Sequence, residues 1–279
     1  MKKTSIGIIG LGLMGGSFSI ALKETSENYY FVGLDHNKSH CEEALKLGLV
    51  DKIVTSLNEI KRCDVIILTI PVDGIISIAK QLNNLDSQCT VIDFGSTKQK
   101  ISESIPKAIR ENFVTAHPMT GTEKFGPSAA IKDLYSGKVV VLCDMEKSGE
   151  HQRKTAERLF HDIKMNLVLM GAEEHDKHAA FISHMPHAVS YSLANAVMKQ
   201  EASSSIVALA GGGFKDMGRI AKSSPNMWED IFRQNKSNVL ESIYTFQSEL
   251  KKCQRMIEND EWDTLNDWMR EANTLHDIL

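Results

Sequence analysis

The 279-residue chain contains no Cys-x-x-Cys pair. Its five cysteines (Cys41, Cys63, Cys89, Cys143 and Cys253) are scattered and odd in number, which argues against a disulfide framework or a thiolate metal site and fits a reducing compartment. The four histidines between His175 and His187 include no His-Glu-x-x-His, so no metal is expected. Excess positive charge is also missing. The formal net charge is -4, which leaves no electrostatic footprint for nucleic acid. No apolar run is long and unbroken enough for a membrane span or a signal peptide, so a cytoplasmic protein with no membrane partner is expected. The chain shows no internal repeat, low-complexity tract or long linker.

What is present is a regular alternation. With 42% hydrophobic residues, the length accommodates roughly two domains, each with its own core. Short apolar runs at residues 5–9, 30–34, 65–70, 90–94, 113–116, 138–142 and 166–169 alternate with helix-period segments such as 15–23, 40–47, 75–82 and 152–163. This predicts βαβ units and a mostly parallel sheet. After Gly171 the pattern turns helical: 173–201 with a kink at Pro186, then 228–252 and 261–278. The expected architecture is an α/β Rossmann-type domain over 1–170, followed by an all-α domain over 171–279. The apolar helix faces of the second domain are expected to bury a partner subunit.

Gly10-Leu11-Gly12-Leu13-Met14-Gly15 is a G-x-G-x-x-G between a predicted strand and a predicted helix. Gly10 suits the tight turn, Gly12 the approach of a pyrophosphate, and Gly15 close packing of helix on strand. The helix N-terminus offers N–H groups to phosphate. Asp35 ends the second strand, where a carboxylate accepts hydrogen bonds from the adenosine ribose and repels a 2′-phosphate. The expected cofactor is NAD, with His36 and Lys38 leaving some room for NADP.

Two loops and two helical stretches carry the remaining polar chemistry. Ser96, in Asp93-Phe-Gly-Ser-Thr-Lys98, either orients groups beside the nicotinamide or, with Thr97, caps the helix expected over 99–109. His117 follows a strand and precedes Pro118, in a loop containing Thr122 and Glu123. It reads either as a structural hydrogen bonder or as a base that accepts a hydroxyl proton while hydride leaves the same carbon. Ser183 and His187 are four apart on one helix face, placed to close over a substrate, while His175 reads as a partly solvated helix start. Arg219 follows Gly211-Gly212-Gly213 and suits either a substrate carboxylate or an ion pair with Asp216. Pro225 and Trp228 read as structural.

Segments Gly10–Ser17, Asp93–Lys98, His117–Gly126, His175–His187 and Gly211–Trp228 together resemble the prephenate/arogenate dehydrogenase family of tyrosine biosynthesis. The resemblance implies NAD-dependent oxidative decarboxylation of prephenate by a Rossmann-type domain joined to a helical dimerisation domain, in a homodimer. By position, it implies that His117 accepts the substrate's ring-hydroxyl proton and that Ser96 orients His117. It pairs Arg219 with a substrate carboxylate, with His187 and Ser183 lining the pocket. Thr122, Glu123 and Gly212 fall on further pocket positions. Lys215 and Gly218 depart from the Arg and Thr that the family more often shows. Neither a chorismate mutase fusion nor a C-terminal regulatory domain is expected.

Three alternatives stay open. Arogenate differs from prephenate only by an amino group on the side chain. A β-hydroxyacid dehydrogenase would need a helical-domain lysine such as Lys177 or Lys215, and would leave the His117 loop unexplained. A non-catalytic NAD sensor would bind the cofactor without turnover.

Overall fold

The structure is a computed structural model that describes residues 3–26, 28–200 and 203–278. Eight strands form one sheet: β1 (Thr4–Ile9), β2 (Tyr29–Leu34), β3 (Lys52–Ile53), β4 (Val65–Leu68), β5 (Thr90–Asp93), β6 (Phe113–Pro118), β7 (Val139–Cys143) and β8 (Asn166–Met170). Their order across the sheet is β3-β2-β1-β4-β5-β6-β7-β8. The pairs from β3 to β6 are all parallel. β7 runs antiparallel to β6, and β8 parallel to β7. β3, at two residues, is the strand the hydrophobic pattern misses.

Residues of strands buried on both faces are apolar throughout, as in Val65–Leu68, because helices cover both sides. One face packs against α1 (Leu13–Thr25) and α6 (Glu150–Asp162) around Phe18, Phe31, Leu159 and Phe160. The other face packs with α3 (Leu57–Ile60), α4 (Val72–Gln81) and α5 (Gln99–Ser104) around Ile60, Ile75, Val91 and Ile101. α2 (Lys38–Lys46) follows β2 and is capped by the Asn37 side chain. α5 is shorter than expected: Ile105 is extended before Pro106, and a separate 3-10 turn covers Lys107–Ile109.

Beyond the sheet the described chain is helical: α7 (Ala172–Ala179), α8 (Met185–Met198), α9 (Ser203–Ala208), α10 (Gly212–Arg219), α11 (Pro225–Gln234), α12 (Lys236–Glu258) and α13 (Trp262–Asn273). The long helix expected over 173–201 is realised as far as Met198, and Glu201 lies outside the described residues. A π-turn at Ala180–His184 joins α7 to α8. Pro186 lacks an N–H and its ring crowds the carbonyl four residues back, so the hydrogen-bond ladder widens just before it. The single helix expected over 228–252 is broken at Asn235. The Asn235 amide turns back to donate to the Asp176 carbonyl at 2.7 Å and to His184 Nδ1 at 3.1 Å.

Candidate active site

The strand register aligns Ile9, Leu68 and Asp93 across β1, β4 and β5, and Asp93 with Thr115 on β6. The residues that follow these positions therefore emerge at one sheet edge. Gly10 turns there with φ 98°, and a Cβ would lie 2.5 Å from the Thr69 carbonyl oxygen. The Thr69 hydroxyl donates to the Gly10 carbonyl at 2.6 Å. At Gly15 a Cβ would meet the Gly10 carbonyl at 2.2 Å, so helix and strand close up only with glycine. At Gly12 a Cβ would find only the Gly126 nitrogen, at 3.8 Å, which leaves the backbone open to a ligand. Leu11 is buried beneath the turn. Tyr135 supports the far side by donating to the Met14 carbonyl at 2.7 Å.

Asp35 is nearly buried and braces this turn. Its carboxylate accepts the Leu11 N–H at 2.8 Å and the Asn37 N–H at 2.8 Å. His36 and His40 approach it at 3.3 and 3.7 Å. The contact with Leu11 was not foreseen from sequence, where only a ribose contact was expected.

A cavity of about 710 Å³ opens between the sheet edge and the helical segment. Gly12, Leu13, Met14, Thr69, Phe94, Ser96, His117, Thr122 and Glu123 line it from the α/β side. Ser183, His184, His187, Arg219 and Trp228 line it from the helical side. Gly212 stands apart: it opens α10, is exposed, and does not line this cavity. Trp228, read as structural, is both buried and part of the wall. Its indole stacks on the His187 ring.

His117 sits near the end of β6. Its Nδ1 is 2.8 Å from His175 Nε2, and His175 Nδ1 is 2.8 Å from Asp176 Oδ1. His175 and Asp176 are both 2% exposed, so His175 is not the partly solvated helix start expected. The buried Asp176 carboxylate also accepts the backbone N–H groups of Lys98 at 2.7 Å and Gln99 at 3.0 Å. It therefore caps α5 from α7, the role assigned from sequence to Ser96 or Thr97. A carboxylate can only accept, and with both rings neutral this sets the direction of the chain. His175 Nδ1–H donates to Asp176, His175 Nε2 accepts from His117 Nδ1–H, and His117 Nε2 keeps its lone pair. Burial, with His175, Lys98 and His184 nearby, holds the His117 imidazole well below its ordinary value of 6.5, so the ring is neutral at pH 7. Ser96 lines the same cavity; the partner that fixes the ring is His175.

Beneath the site, Lys98 and Asp93 form a fully buried ion pair, and Lys98 Nζ also donates to the Ala116 carbonyl at 2.7 Å. This pair ties the Ser96 loop to the strand that carries His117. On the helical side, His187 Nδ1–H donates to the Ser183 carbonyl at 2.9 Å. Burial lowers the His187 value, and Arg219 adds to that effect while the Ser183 carbonyl opposes it. Among the described residues Arg219 forms no ion pair, with Asp216 or with another carboxylate. A cation and a second potential cation thus face a cavity that also holds the His117 imidazole and a dinucleotide-type turn.

Family models match the chain along most of its length. That for the nucleotide-binding domain of prephenate dehydrogenase covers residues 18–169, and that for its dimerization domain covers residues 171–271. The prephenate dehydrogenase of Bacillus subtilis (strain 168) is 31% identical, over 99% of this chain and 76% of that one. Prephenate dehydrogenase from A. aeolicus, solved in complex with hydroxyphenyl propionate and NAD+, superposes with a TM-score of 0.92. It shares 32% identity over 99% of this chain and 98% of that one. Synechocystis arogenate dehydrogenase superposes with a TM-score of 0.82 at 26% identity, over 98% of this chain and 99% of that one. The chain belongs to the prephenate dehydrogenase family.

Proposed function

We propose that this protein catalyses the NAD-dependent oxidative decarboxylation of prephenate to 4-hydroxyphenylpyruvate and CO2. The observation that carries this reading is His117, its Nδ1 engaged by His175, on the wall of a cavity that also contains Gly12–Met14 and Arg219. NAD fits the glycine turn because the missing Cβ at Gly12 leaves the backbone open beside the N-terminus of α1. Bound there, it supplies the hydride acceptor. The Asp35 carboxylate, already engaged by two backbone N–H groups, would repel a 2′-phosphate and so favours NAD over NADP.

The chemistry needs little from the protein beyond placement. Prephenate is a dianion whose ring alcohol lies opposite a quaternary carboxylate. His117 Nε2 takes the hydroxyl proton as hydride leaves the same carbon, which makes a carbonyl in conjugation with the C–CO2 bond. That bond then breaks, its electron pair completes the aromatic ring, and the oxygen left as a phenolate takes a proton to give the 4-hydroxyphenyl product. Proton transfer contributes about 10²–10⁴-fold, and positioning up to roughly 7–11 kcal/mol. Arg219 pairs with one substrate carboxylate and His187 with the other. Ser96 contacts the hydroxyl, and Ser183, Thr122 and Glu123 shape the wall. The α/β part, residues 1–170, binds the dinucleotide. The helical part, residues 171–279, completes the substrate pocket and joins two copies as a homodimer, as the dimerization-domain match supports. Exposed Leu240, Tyr244 and Leu250 on α12 supply apolar surface for that contact. No helix among the described residues is long and apolar enough to cross a membrane.

The likeness to an arogenate dehydrogenase supports a second reading, in which the substrate carries an amino group in place of the keto group. One assay decides: NADH or NADPH formation with prephenate or arogenate, and with NAD or NADP. Turnover with prephenate and NAD is the expected result. Turnover with arogenate alone selects the second reading, and cofactor binding without turnover on either substrate refutes both.

A further inference from the structure

The hydrogen-bonded chain behind His117 reaches a buried carboxylate, and its geometry suits more than holding a ring. We propose that the substrate's proton charge does not stay on His117 but passes through its ring to His175, where Asp176 holds it. This proposal rests on the reading of His117 as the base.

The bonds balance as follows. The hydroxyl proton of the substrate moves to His117 Nε2. The proton already on His117 Nδ1 moves across the 2.8 Å bond to His175 Nε2. His175 keeps its Nδ1–H on Asp176 Oδ1, also 2.8 Å away. The electron pair of the O–H bond becomes the second bond of the carbonyl, and the pair of the C–H bond leaves with the hydride to NAD. His117 ends neutral, in the opposite tautomer, and His175 ends as an imidazolium against a carboxylate.

The surroundings of the two rings differ in the sense this requires. His117 meets Lys98 from the loop before α5, His184 from the π-turn and His175 from α7, and burial disfavours charge there. His175 is buried too, but it faces Asp176, whose carboxylate also accepts the Lys98 and Gln99 N–H groups. A cation formed on His175 is therefore paired at once, whereas one kept on His117 lies among positive or neutral groups. The arrangement also carries a built-in off state. If His175 is already protonated before substrate arrives, its Nε2–H points at His117 Nδ1, and His117 Nε2 must carry hydrogen. The acid side of the kcat/KM profile then belongs to the pair and not to one ring.

His175→Gln separates relay from orientation. A glutamine oxygen can accept from His117 Nδ1–H in place of Nε2 but cannot take the proton. We expect this variant to bind NAD normally, to lose at least about tenfold in kcat, and to move the acid inflection of kcat/KM to lower pH by about a unit or more. Asp176→Asn keeps the shape and removes the charge; it should move the same inflection in the same direction, and it provides the readout if the glutamine variant does not fold. A kcat within about twofold of the parent with an unmoved inflection would overturn the relay, as would an Asp176→Asn variant that loses stability with the inflection in place. His117→Asn serves as the reference. If its turnover matches the parent, the base reading falls and the relay with it. If it is inactive while His175→Gln is unaffected, only the relay falls.

Discussion

His187 lies stacked on Trp228, with ring centroids 3.6 Å apart and planes inclined by 23°. With Nδ1–H committed to the Ser183 carbonyl, the ring has one nitrogen left for the cavity. Because burial lowers the His187 value below 6.5, that nitrogen is unprotonated in the empty site at neutral pH and accepts rather than donates. Holding a carboxylate requires a proton, so the proposed grip of His187 on substrate would couple binding to proton uptake. The KM for prephenate should rise between about pH 6 and about pH 8, by at most about tenfold per unit. His187→Gln should flatten that dependence. A wild-type KM that is constant across the range would remove His187 from the carboxylate grip.

His117→Asn retains a polar side chain but no base. Turnover should fall by about 10²–10⁴-fold, while NAD binds nearly as in the parent, because the proposed hold on the dinucleotide is the Gly10–Gly15 turn. Titration of NAD by protein fluorescence, beside steady-state assays, tests both halves. A variant of undiminished kcat would return His117 to a structural role.

Asp35→Asn addresses the cofactor side. The carboxylate accepts N–H groups on both oxygens. An amide must turn its NH2 toward one of them, which leaves Leu11 or Asn37 facing a donor. A hydrogen bond to a charged group contributes roughly 1.5–3 kcal/mol, so NAD affinity should fall on the order of tenfold or more. The penalty on NADP should shrink at the same time, since the repelling charge is gone. Equal losses for the two cofactors would show that Asp35 braces the turn without choosing between them.

Stability should depend on pH through the buried histidines. Burial lowers His117, His187 and His184, the last to about 4. In the unfolded chain all three take up protons near 6.5. Their stabilising contribution is therefore complete above pH 6.5 and is lost as the pH falls toward about 4, where the unfolded state binds more protons. His184 alone corresponds to roughly 3 kcal/mol over that window. Thermal melts at about pH 7 and about pH 5 should show a clear drop in Tm at the lower value. His184→Asn should reduce the difference, and equal melts would refute the assignment.

The parts legible in the sequence are those whose cause is local. The Gly10–Gly15 turn, the alternation of strands and helices, and the change of character after Gly171 each depend on a few neighbouring residues. What escaped notice depends on partners distant in the chain. His175 looked like a solvated helix start because its partner, His117, lies 58 positions away. Asp176 could not be recognised as the cap of α5, since nothing near Lys98 signals an acceptor from another helix. The same reason hid Asn235, whose amide breaks a helix that its own neighbours would continue. Trp228 looked like ordinary core because an indole that walls a cavity has the same local pattern as one that fills it. Gly212 differs in another way: a triple glycine suggested close approach to a ligand, and the residue opens α10 off the wall of this cavity.

The Asp176 carboxylate holds the start of α5 and the end of the histidine chain at the same time, and it belongs to the helical part of the molecule. Swinging that part away from the sheet would withdraw the cap and the histidine support in one movement. His117 would then be left without a fixed tautomer whenever the cleft stood open to water. With His117 as the proposed base, the arrangement would work as an interlock, the base being armed only with the two halves held together.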